Sequence, residues 1–204
     1  MLENVLIVAA GYLSGSVPFG VVVVKAFKGE DIREQGSGNI GASNVWRAYG
    51  RWLGAPVAVL DVAKGFVPAY VGLKLGGEWV GVLAGAAAMV GHARPIWLGF
   101  TKGGKMVATA GGVTLALAPL AAGICLLVWI ATFALSRYAS LASLATAVSL
   151  PIMCLVLDEP WPTVVFATVA AVAVIGLHRH NIGRLLHGTE SRFSRSPRTS
   201  TSTS

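Results

Sequence analysis

Charged residues are scarce in this sequence. Asp, Glu, Lys and Arg together make up 12% of its 204 residues, about half of the share that is usual in soluble domains. Hydrophobic residues account for 54%, and the 25 glycines suit close packing of helices in lipid. This composition excludes an ordinary soluble domain and predicts a small membrane protein with several spans.

Cysteine motifs and targeting segments are also lacking. The only two cysteines, Cys125 and Cys154, lie in apolar runs without the spacing of a disulfide framework or a metal site. We therefore expect both to be packing residues. The N-terminus has neither a basic region nor a small-residue cleavage site, so we expect no cleaved signal peptide.

Long apolar runs are present instead, and most approach the roughly 20 residues that a helix needs to cross a bilayer. These runs cover approximately residues 2–25, 55–75, 79–98, 107–119, 120–135, 143–157 and 161–177. The fourth and fifth runs are short, and 107–135 is also compatible with one long tilted helix. The sequence thus allows either seven spans or six.

The distribution of basic residues favours seven spans. With seven, 14 of the 16 Lys and Arg residues fall on one membrane face, whereas six spans would divide these 14 as 8 against 6. The positive-inside rule then places the N-terminus outside and the C-terminus in the cytoplasm. Pro119 and Gly123 supply a break between the fourth and fifth helices. We therefore predict an all-α polytopic membrane protein over residues 1–190 and a disordered tail, rich in Ser, Thr and Arg, over 191–204.

Two glycine-rich segments resemble nucleotide-binding motifs. Residues 36–41 fit G-x-G-x-x-G, but the polar segment 29–35 stands where a dinucleotide fold needs a buried strand. Residues 99–105 fit G-x-x-x-x-G-K, but Met106 replaces the magnesium-binding Ser or Thr of a P-loop, and no strand precedes this segment. Both nucleotide folds are therefore excluded.

Both segments nevertheless lie on the basic face and carry groups that bind phosphate. Glycines let successive backbone N–H groups converge on an anion, and hydroxyl, amide and cationic side chains add further donors. The candidates are Gly36, Ser37, Gly38, Asn39, Asn44, Arg47, Gly103, Gly104 and Lys105. The simpler alternative is that these are cytoplasmic loops whose cations only set the topology.

Two further segments join this face. Ser140 and Ser143 follow the fifth span, and His178 and Asn181 follow the seventh. The last two are three positions apart and so share one face of a helix. A histidine beside an anion-binding loop suits a general base or a phosphate donor.

The order of these motifs resembles one family. GSGNIGASN (36–44), GH (91–92), GGK (103–105), RYASLAS (137–143) and HRHNIGRLLHGTE (178–190) occur in this order. The set is similar to the bacterial acyl-phosphate:glycerol-3-phosphate acyltransferases of the PlsY type, and the resemblance covers about 14–190. It implies seven helices in the bacterial plasma (inner) membrane, with the active site facing the cytoplasm.

The resemblance also implies a reaction. An acyl group would pass from acyl phosphate to the 1-hydroxyl of glycerol 3-phosphate, giving 1-acylglycerol 3-phosphate for phospholipid synthesis. The partners would be these substrates and membrane lipid, with no nucleic acid, metal or other cofactor. The sequence has neither a Ser-His-Asp triad nor the H-x4-D motif of the acyl-CoA-dependent enzymes.

Catalytic roles carried over from the resemblance fall on His178, Asn181, Ser37 and Lys105, and the remaining candidates would bind substrate. Ser143 matches the family's serine better than Ser140 does. Whether His178 or a substrate phosphate accepts the proton stays open. The chain departs from the family by an additional residue between Phe100 and Gly103, which puts the position of the Lys105 loop in question.

Two other interpretations concern charge inside the membrane. Asp61 and Lys64 lie three apart in the second span, which predicts a neutralising pair near the inner face. A small transporter for an anionic solute is the alternative function. It would need ionisable groups at mid-membrane and an inverted repeat, whereas the polar motifs cluster at one interface and no clear repeat is present.

Overall fold

The computed structural model describes residues 1–193, so residues 194–204 of the predicted disordered tail lie outside the described part. Helices form almost all of it, with two short 3-10 turns at Ile32–Glu34 and Ile96–Leu98. The helices are α1 (Leu2–Gly15), α2 (Phe19–Lys28), α3 (Ala42–Tyr49), α4 (Arg51–Gly76), α5 (Glu78–Ala93), α6 (Val107–Leu117), α7 (Pro119–Ser136), α8 (Ala139–Val156), α9 (Trp161–Leu177) and α10 (Arg179–Leu186). The all-helical prediction is confirmed for residues 1–193.

Four helical stretches of the described chain are long and apolar enough to cross a membrane. They are Leu2–Lys28, Arg51–Gly76, Pro119–Ser136 and Ala139–Val156. A fifth arises if α9 and α10, which meet at a 60° bend, count as one span. The helices α5 and α6 are shorter, with 16 and 11 residues. Each predicted run thus contains a helix, while the number seven stays a prediction.

The segment 107–135 is not one continuous helix. The last residue of α6 is Leu117, and Ala118 leaves the helical region with φ of −141°. Pro119 then occupies the first turn of α7, where its missing N–H is not needed and its fixed φ suits a helix start. The single tilted helix that supported six spans is therefore wrong.

Close backbone contact fixes α6 against α4. A Cβ atom added at Gly65 of α4 would overlap the carbonyl oxygen of Thr109, and one added at Gly112 of α6 would overlap that of Val62. Glycine at both positions lets the two helices approach until their backbones touch. This contact holds the first turn of α6, which follows Lys105, in a defined place.

A small apolar cluster supports the loop between α2 and α3. It consists of Val21, Val24, Ile32, Ile40, Val45 and Val57. Most of these side chains are fully buried, so the loop rests on packed residues of α2, α3 and α4. The segment 36–44 is therefore a fixed platform at the end of the helix bundle.

Candidate active site

A cavity of about 640 Å³ lies among α4, α6, α7, α8 and α9, with polar residues at one end and apolar walls beyond. Four segments that are far apart in the sequence meet at the polar end. The predicted site residues that line it are Ser37, Asn39, Asn44, Arg47, Lys105, Ser140, Ser143, His178 and Asn181. This arrangement agrees with the expectation that the four segments face one common site.

Asn44 organises the first loop. Its side-chain Nδ2 donates to the carbonyl oxygens of Gln35 and Asn39, both at 2.9 Å, and its Oδ1 accepts from the backbone N–H of Ser37 at 3.0 Å. The Asn44 amide was expected to donate to a ligand. Because its hydrogen bonds are used within the loop, its role here is to shape the loop.

The Lys105 loop is held by backbone hydrogen bonds to the end of α5. The N–H of Gly103 donates to Ala93 O at 2.9 Å, and that of Gly104 donates to His92 O at 3.0 Å. A Cβ atom at Gly104 would overlap the His92 imidazole. Thr101 and Lys102, one of which is the additional residue, are both exposed. Lys105 still lines the cavity, so the insertion does not draw it away.

The four predicted substrate-binding glycines do not line the cavity. Gly36 and Gly38 have φ of +56° and +68°, which other residues rarely adopt, so they are needed for the turn itself. The N–H of Gly38 already donates to Gln35 O at 3.0 Å, as those of Gly103 and Gly104 donate to α5. These glycines therefore shape the loops that carry the polar side chains.

One carboxylate connects the polar end of the cavity. Glu190 accepts hydrogen bonds from Ser140 Oγ and Asn181 Nδ2, both at 2.7 Å, and from Arg184 Nε at 2.6 Å. Asn181 Oδ1 in turn accepts from Lys105 Nζ at 2.5 Å. We call Glu190, Ser140, Asn181, Arg184 and Lys105 the Glu190 cluster. Sequence reasoning missed Glu190 and Arg184, although both lie within the 178–190 motif.

Burial changes the ionisation of this cluster. Desolvation lowers the pKa of Lys105 to about 8, although the Glu190 charge opposes the shift. Burial also lowers the pKa of Arg47, against the same Glu190 charge. Burial raises the pKa of Glu190, but the hydrogen bonds from Ser140, Asn181 and Arg184 lower it by more, so it lies below its ordinary value. Three cations therefore surround one ionised carboxylate.

Two buried donors of this region have no partner within residues 1–193. They are Asn39 Nδ2 and Arg47 Nε, and both residues line the cavity. The Arg47 guanidinium also lies 4.9 Å from the ring centre of Phe193, the last described residue and part of the predicted tail. Unpaired buried donors beside surplus positive charge suit an anionic ligand.

His178 occupies the bend between α9 and α10 and is only 3% exposed. Its Nδ1 lies 2.8 Å from the carbonyl oxygen of Val174. A carbonyl oxygen can only accept, so Nδ1 carries the proton and Nε2 of the neutral ring is an acceptor. This tautomer leaves His178 able to take a proton at Nε2.

The hydroxyl groups of the third segment are engaged within the protein. Ser143 Oγ donates to Ala139 O at 2.7 Å and lies 3.4 Å from Trp129 Nε1, while Ser140 Oγ donates to Glu190. Among these candidates Ser37 is exposed. The hydroxyl of Ser37 is thus the one best placed to meet a ligand entering at the polar end of the cavity.

A second group of buried charges touches the cavity. Asp61 Oδ1 lies 2.8 Å from Lys64 Nζ and 3.7 Å from His92 Nδ1, and all three side chains are 3% exposed. Lys64 Nζ also donates to Val17 O at 2.9 Å, at the break between α1 and α2. We call Asp61, Lys64 and His92 the Asp61 cluster. The predicted pairing of Asp61 with Lys64 is confirmed, whereas the contribution of Asp61 and His92 to the cavity wall was missed.

Comparison with known proteins shows which family the chain belongs to. The family model described as glycerol-3-phosphate acyltransferase matches residues 5–188, nearly the whole chain. The chain belongs to the glycerol-3-phosphate acyltransferase family. A family member from Desulforamulus reducens is 44% identical over 190 residues, which are 93% of this chain and 94% of the relative.

Solved structures of the family have the same fold. The crystal structure of PlsY, an integral membrane glycerol 3-phosphate acyltransferase, in its glycerol 3-phosphate form has a TM-score of 0.90 and 43% identity, covering 94% of this chain and 96% of that chain. The lysophosphatidic acid form of PlsY gives 0.88 and 41% with the same coverage. The resemblance inferred from the ordered motifs is therefore confirmed, and this acyltransferase is an integral membrane enzyme.

Proposed function

We propose that this acyltransferase moves a fatty acyl group from acyl phosphate to the 1-hydroxyl of glycerol 3-phosphate, giving 1-acylglycerol 3-phosphate. The observation that carries the proposal is the surplus of cations around Glu190, at the polar end of a cavity whose other walls are apolar. Such a cavity suits a phosphate at one end and an acyl chain along the rest. Family members crystallised in glycerol 3-phosphate and lysophosphatidic acid forms support this substrate pair.

Arg47, Lys105 and Asn39 are the groups that would hold the phosphates. Arg47 Nε and Asn39 Nδ2 have no partner among the described residues, and the Lys105 ammonium is charged below its pKa of about 8. Positioning two substrates side by side contributes on the order of 7–11 kcal/mol to catalysis. Fixed cations at the leaving phosphate add several kcal/mol more.

The chemical step is an acyl transfer. The 1-hydroxyl oxygen of glycerol 3-phosphate attacks the carbonyl carbon of acyl phosphate, the bond from that carbon to the phosphate oxygen breaks, and phosphate leaves. The hydroxyl proton goes to His178 Nε2 or to a phosphate oxygen of the substrate. The hydrogen bond from His178 Nδ1 to Val174 O leaves Nε2 with a free lone pair, so His178 can accept the proton as well as a phosphate oxygen can.

The donor is tested with purified protein. Glycerol 3-phosphate is offered with acyl phosphate, and in a separate reaction with acyl-CoA of the same chain length, and the lysophosphatidic acid formed is measured. Acyl phosphate alone should support turnover. If product forms with acyl-CoA and not with acyl phosphate, the donor assignment is overturned.

The proposal includes seven membrane-spanning helices, an outside N-terminus and a catalytic end that faces the cytoplasm of a bacterial inner membrane. It is supported by the basic residues of the loops that carry the site. Single cysteines are placed at the exposed positions Glu3, Lys102 and Ser191 in a protein without Cys125 and Cys154. In intact cells a membrane-impermeant thiol reagent should label the cysteine at position 3 and neither of the others. Labelling at 191 would favour an even number of spans.

A further inference from the structure

Two glycines in the cavity wall have no packing role. Gly111 of α6 and Gly123 of α7 both line the cavity, and a Cβ atom added at either would meet no atom within 4 Å. Their neighbour Gly112 differs, since a Cβ there would overlap the backbone of α4. Glycine costs helix stability by roughly 0.5–1 kcal/mol relative to alanine. Its presence at two positions that need no close contact calls for another reason.

The two glycines lie at different depths from the polar end. Gly111 comes four residues after Val107, the first residue of α6, and so lies about 6 Å from the Lys105 end along the helix axis. On α7, Phe133 marks the polar end, because its ring centre lies 5.1 Å from that of Phe193, which contacts Arg47. Gly123 comes ten residues before Phe133, or about 15 Å deeper.

A third helix gives the same depth for the far end of the cavity. On α8, Ser140 donates to Glu190 at the polar end, and Leu150, ten residues further, is a deep residue of the wall. An extended acyl chain advances by about 1.25 Å per carbon, from carbon–carbon bonds of about 1.52 Å in a zigzag. A depth of about 15 Å therefore corresponds to about 12 carbons, and the depth of Gly111 to about five.

We propose that Gly111 and Gly123 determine which acyl-chain lengths this enzyme accepts. The absence of side chains at these positions leaves the apolar part of the cavity open, at about five and about 12 carbons from the polar end. A side chain at Gly123 obstructs only long chains, whereas one at Gly111 also obstructs chains of medium length. This inference rests on the proposed function, since it takes the acyl donor to lie along the cavity.

The experiment compares Gly123→Leu, Gly111→Leu and Gly176→Leu with the wild type. Gly176 of α9 is the matched control, because a Cβ there also meets no atom within 4 Å but the residue is absent from the cavity wall. Leucine favours a helix over glycine, so none of the changes weakens its helix. The value of kcat/KM is measured with acyl phosphates of four, ten and sixteen carbons.

The expected result is a graded loss. Gly123→Leu should leave kcat/KM for the four- and ten-carbon donors within about twofold of wild type. It should lower kcat/KM for the sixteen-carbon donor by about tenfold or more, as found when a hydrophobic pocket has to reject extra methylene groups. Gly111→Leu should lower kcat/KM for the ten- and sixteen-carbon donors and leave that for the four-carbon donor, which ends before Gly111, close to wild type. Gly176→Leu should follow the wild type throughout.

Two outcomes would overturn the inference: an unchanged chain-length profile in both cavity variants, or an equal loss at every chain length. If a leucine variant does not fold, the corresponding alanine variant takes its place, with the same order of preference and a smaller loss. The donor assignment fails separately, because a wild type that uses only acyl-CoA at every length rejects acyl phosphate before any variant is compared. The variants are then compared with acyl-CoA donors of the same lengths.

Discussion

The Glu190 and Asp61 clusters are both built around one buried carboxylate, yet they differ in the charge that surrounds it. Lys105 and Arg184 belong to the Glu190 cluster, and the charge of Arg47 also acts on Glu190. Asp61 has the single cation Lys64 at 2.8 Å and the imidazole of His92 further away. The first cluster therefore has surplus positive charge, and the second is balanced by one pair.

This difference in charge favours a binding role for the Glu190 cluster and a structural role for the Asp61 cluster. The surplus of cations around Glu190 fits the proposed binding of an anion at this end of the cavity. The Asp61 cluster completes its charge internally, and its lysine also donates to Val17 O, so it ties α4 to the break between α1 and α2. We expect changes in the first cluster to reduce activity, and changes in the second to reduce stability.

The largest effect should come from His178, the proposed base beside the Glu190 cluster. His178→Gln should lower kcat by about 10²–10⁴, the usual range for general acid–base catalysis, while thermal unfolding in detergent stays close to that of wild type. His180 and His187 are exposed and serve as controls, so alanine at either should leave turnover nearly unchanged. Near-normal turnover of His178→Gln would remove this residue from the mechanism.

The next effect should appear in stability, at the Asp61 cluster. Asp61→Asn leaves the buried Lys64 ammonium without its counter-charge, which costs about 3–5 kcal/mol when a buried pair loses one partner. The double variant Asp61→Asn/Lys64→Met removes both charges and should regain most of this loss. Thermal unfolding in detergent measures both. Equal stability of Asp61→Asn and wild type would contradict a structural role for the pair.

Removing a cation from the cavity should act on substrate rather than on folding. Lys105→Ala and Arg47→Ala should each lower kcat/KM for glycerol 3-phosphate by about 10²–10³, the range for loss of one fixed donor at a charged transition state. Arg47→Lys should remain impaired, because a planar fork becomes a point charge. Wild-type kinetics in the alanine variants would mean that these cations only set the topology.

The smallest effect is a shift in the pH profile. Because burial lowers the pKa of Lys105 to about 8, kcat/KM for glycerol 3-phosphate should fall as the pH rises above 8 and the amine becomes neutral. The exposed Lys102 adds to this lowering through its positive charge. Lys102→Gln should therefore move the alkaline limb upward by a few tenths of a pH unit.

Lys105→Arg is the control for this assignment. Arginine keeps its charge at every pH used, so the limb should move well above pH 8 even though the basal rate is lower. An alkaline limb that is the same in Lys105→Arg and wild type would assign it to another group. Profiles of kcat/KM between pH 6 and pH 10 decide between these outcomes.

The local features of the fold followed from the sequence. Apolar runs predicted the helices, Pro119 predicted the break after α6, and the spacing of Asp61 and Lys64 predicted their pairing. The basic face predicted that the four polar segments belong together. Each of these inferences depends on neighbours in the sequence or on the choice between two membrane faces, which periodicity and charge report directly.

The finer features of the site depend on distant contacts. The neighbouring sequence does not show that Gly104 packs on the His92 ring or that Glu190 joins Ser140 to Asn181. It also does not show that the side-chain amide of Asn44 is hydrogen-bonded within its own loop. A glycine-rich loop beside a lysine looks the same whether its amides bind phosphate or a neighbouring helix. The contact of Phe193 with Arg47 could not be predicted either, because one aromatic residue in a polar, low-complexity segment gives no pattern that indicates a contact.

Glu190 lies near the end of the sequence, so it is synthesised after the cations that it later joins. Arg47 and Lys105 emerge from the ribosome long before the carboxylate that later holds the polar end together. Until Glu190 is made, these cations lack the carboxylate that they meet in the folded protein, so we expect their charge to act first in keeping their loops on the basic side of the membrane. Only after α10 has been synthesised does Glu190 bond to Ser140 and Asn181. We therefore expect the same side chains to act first as topology signals and then as parts of the proposed binding site.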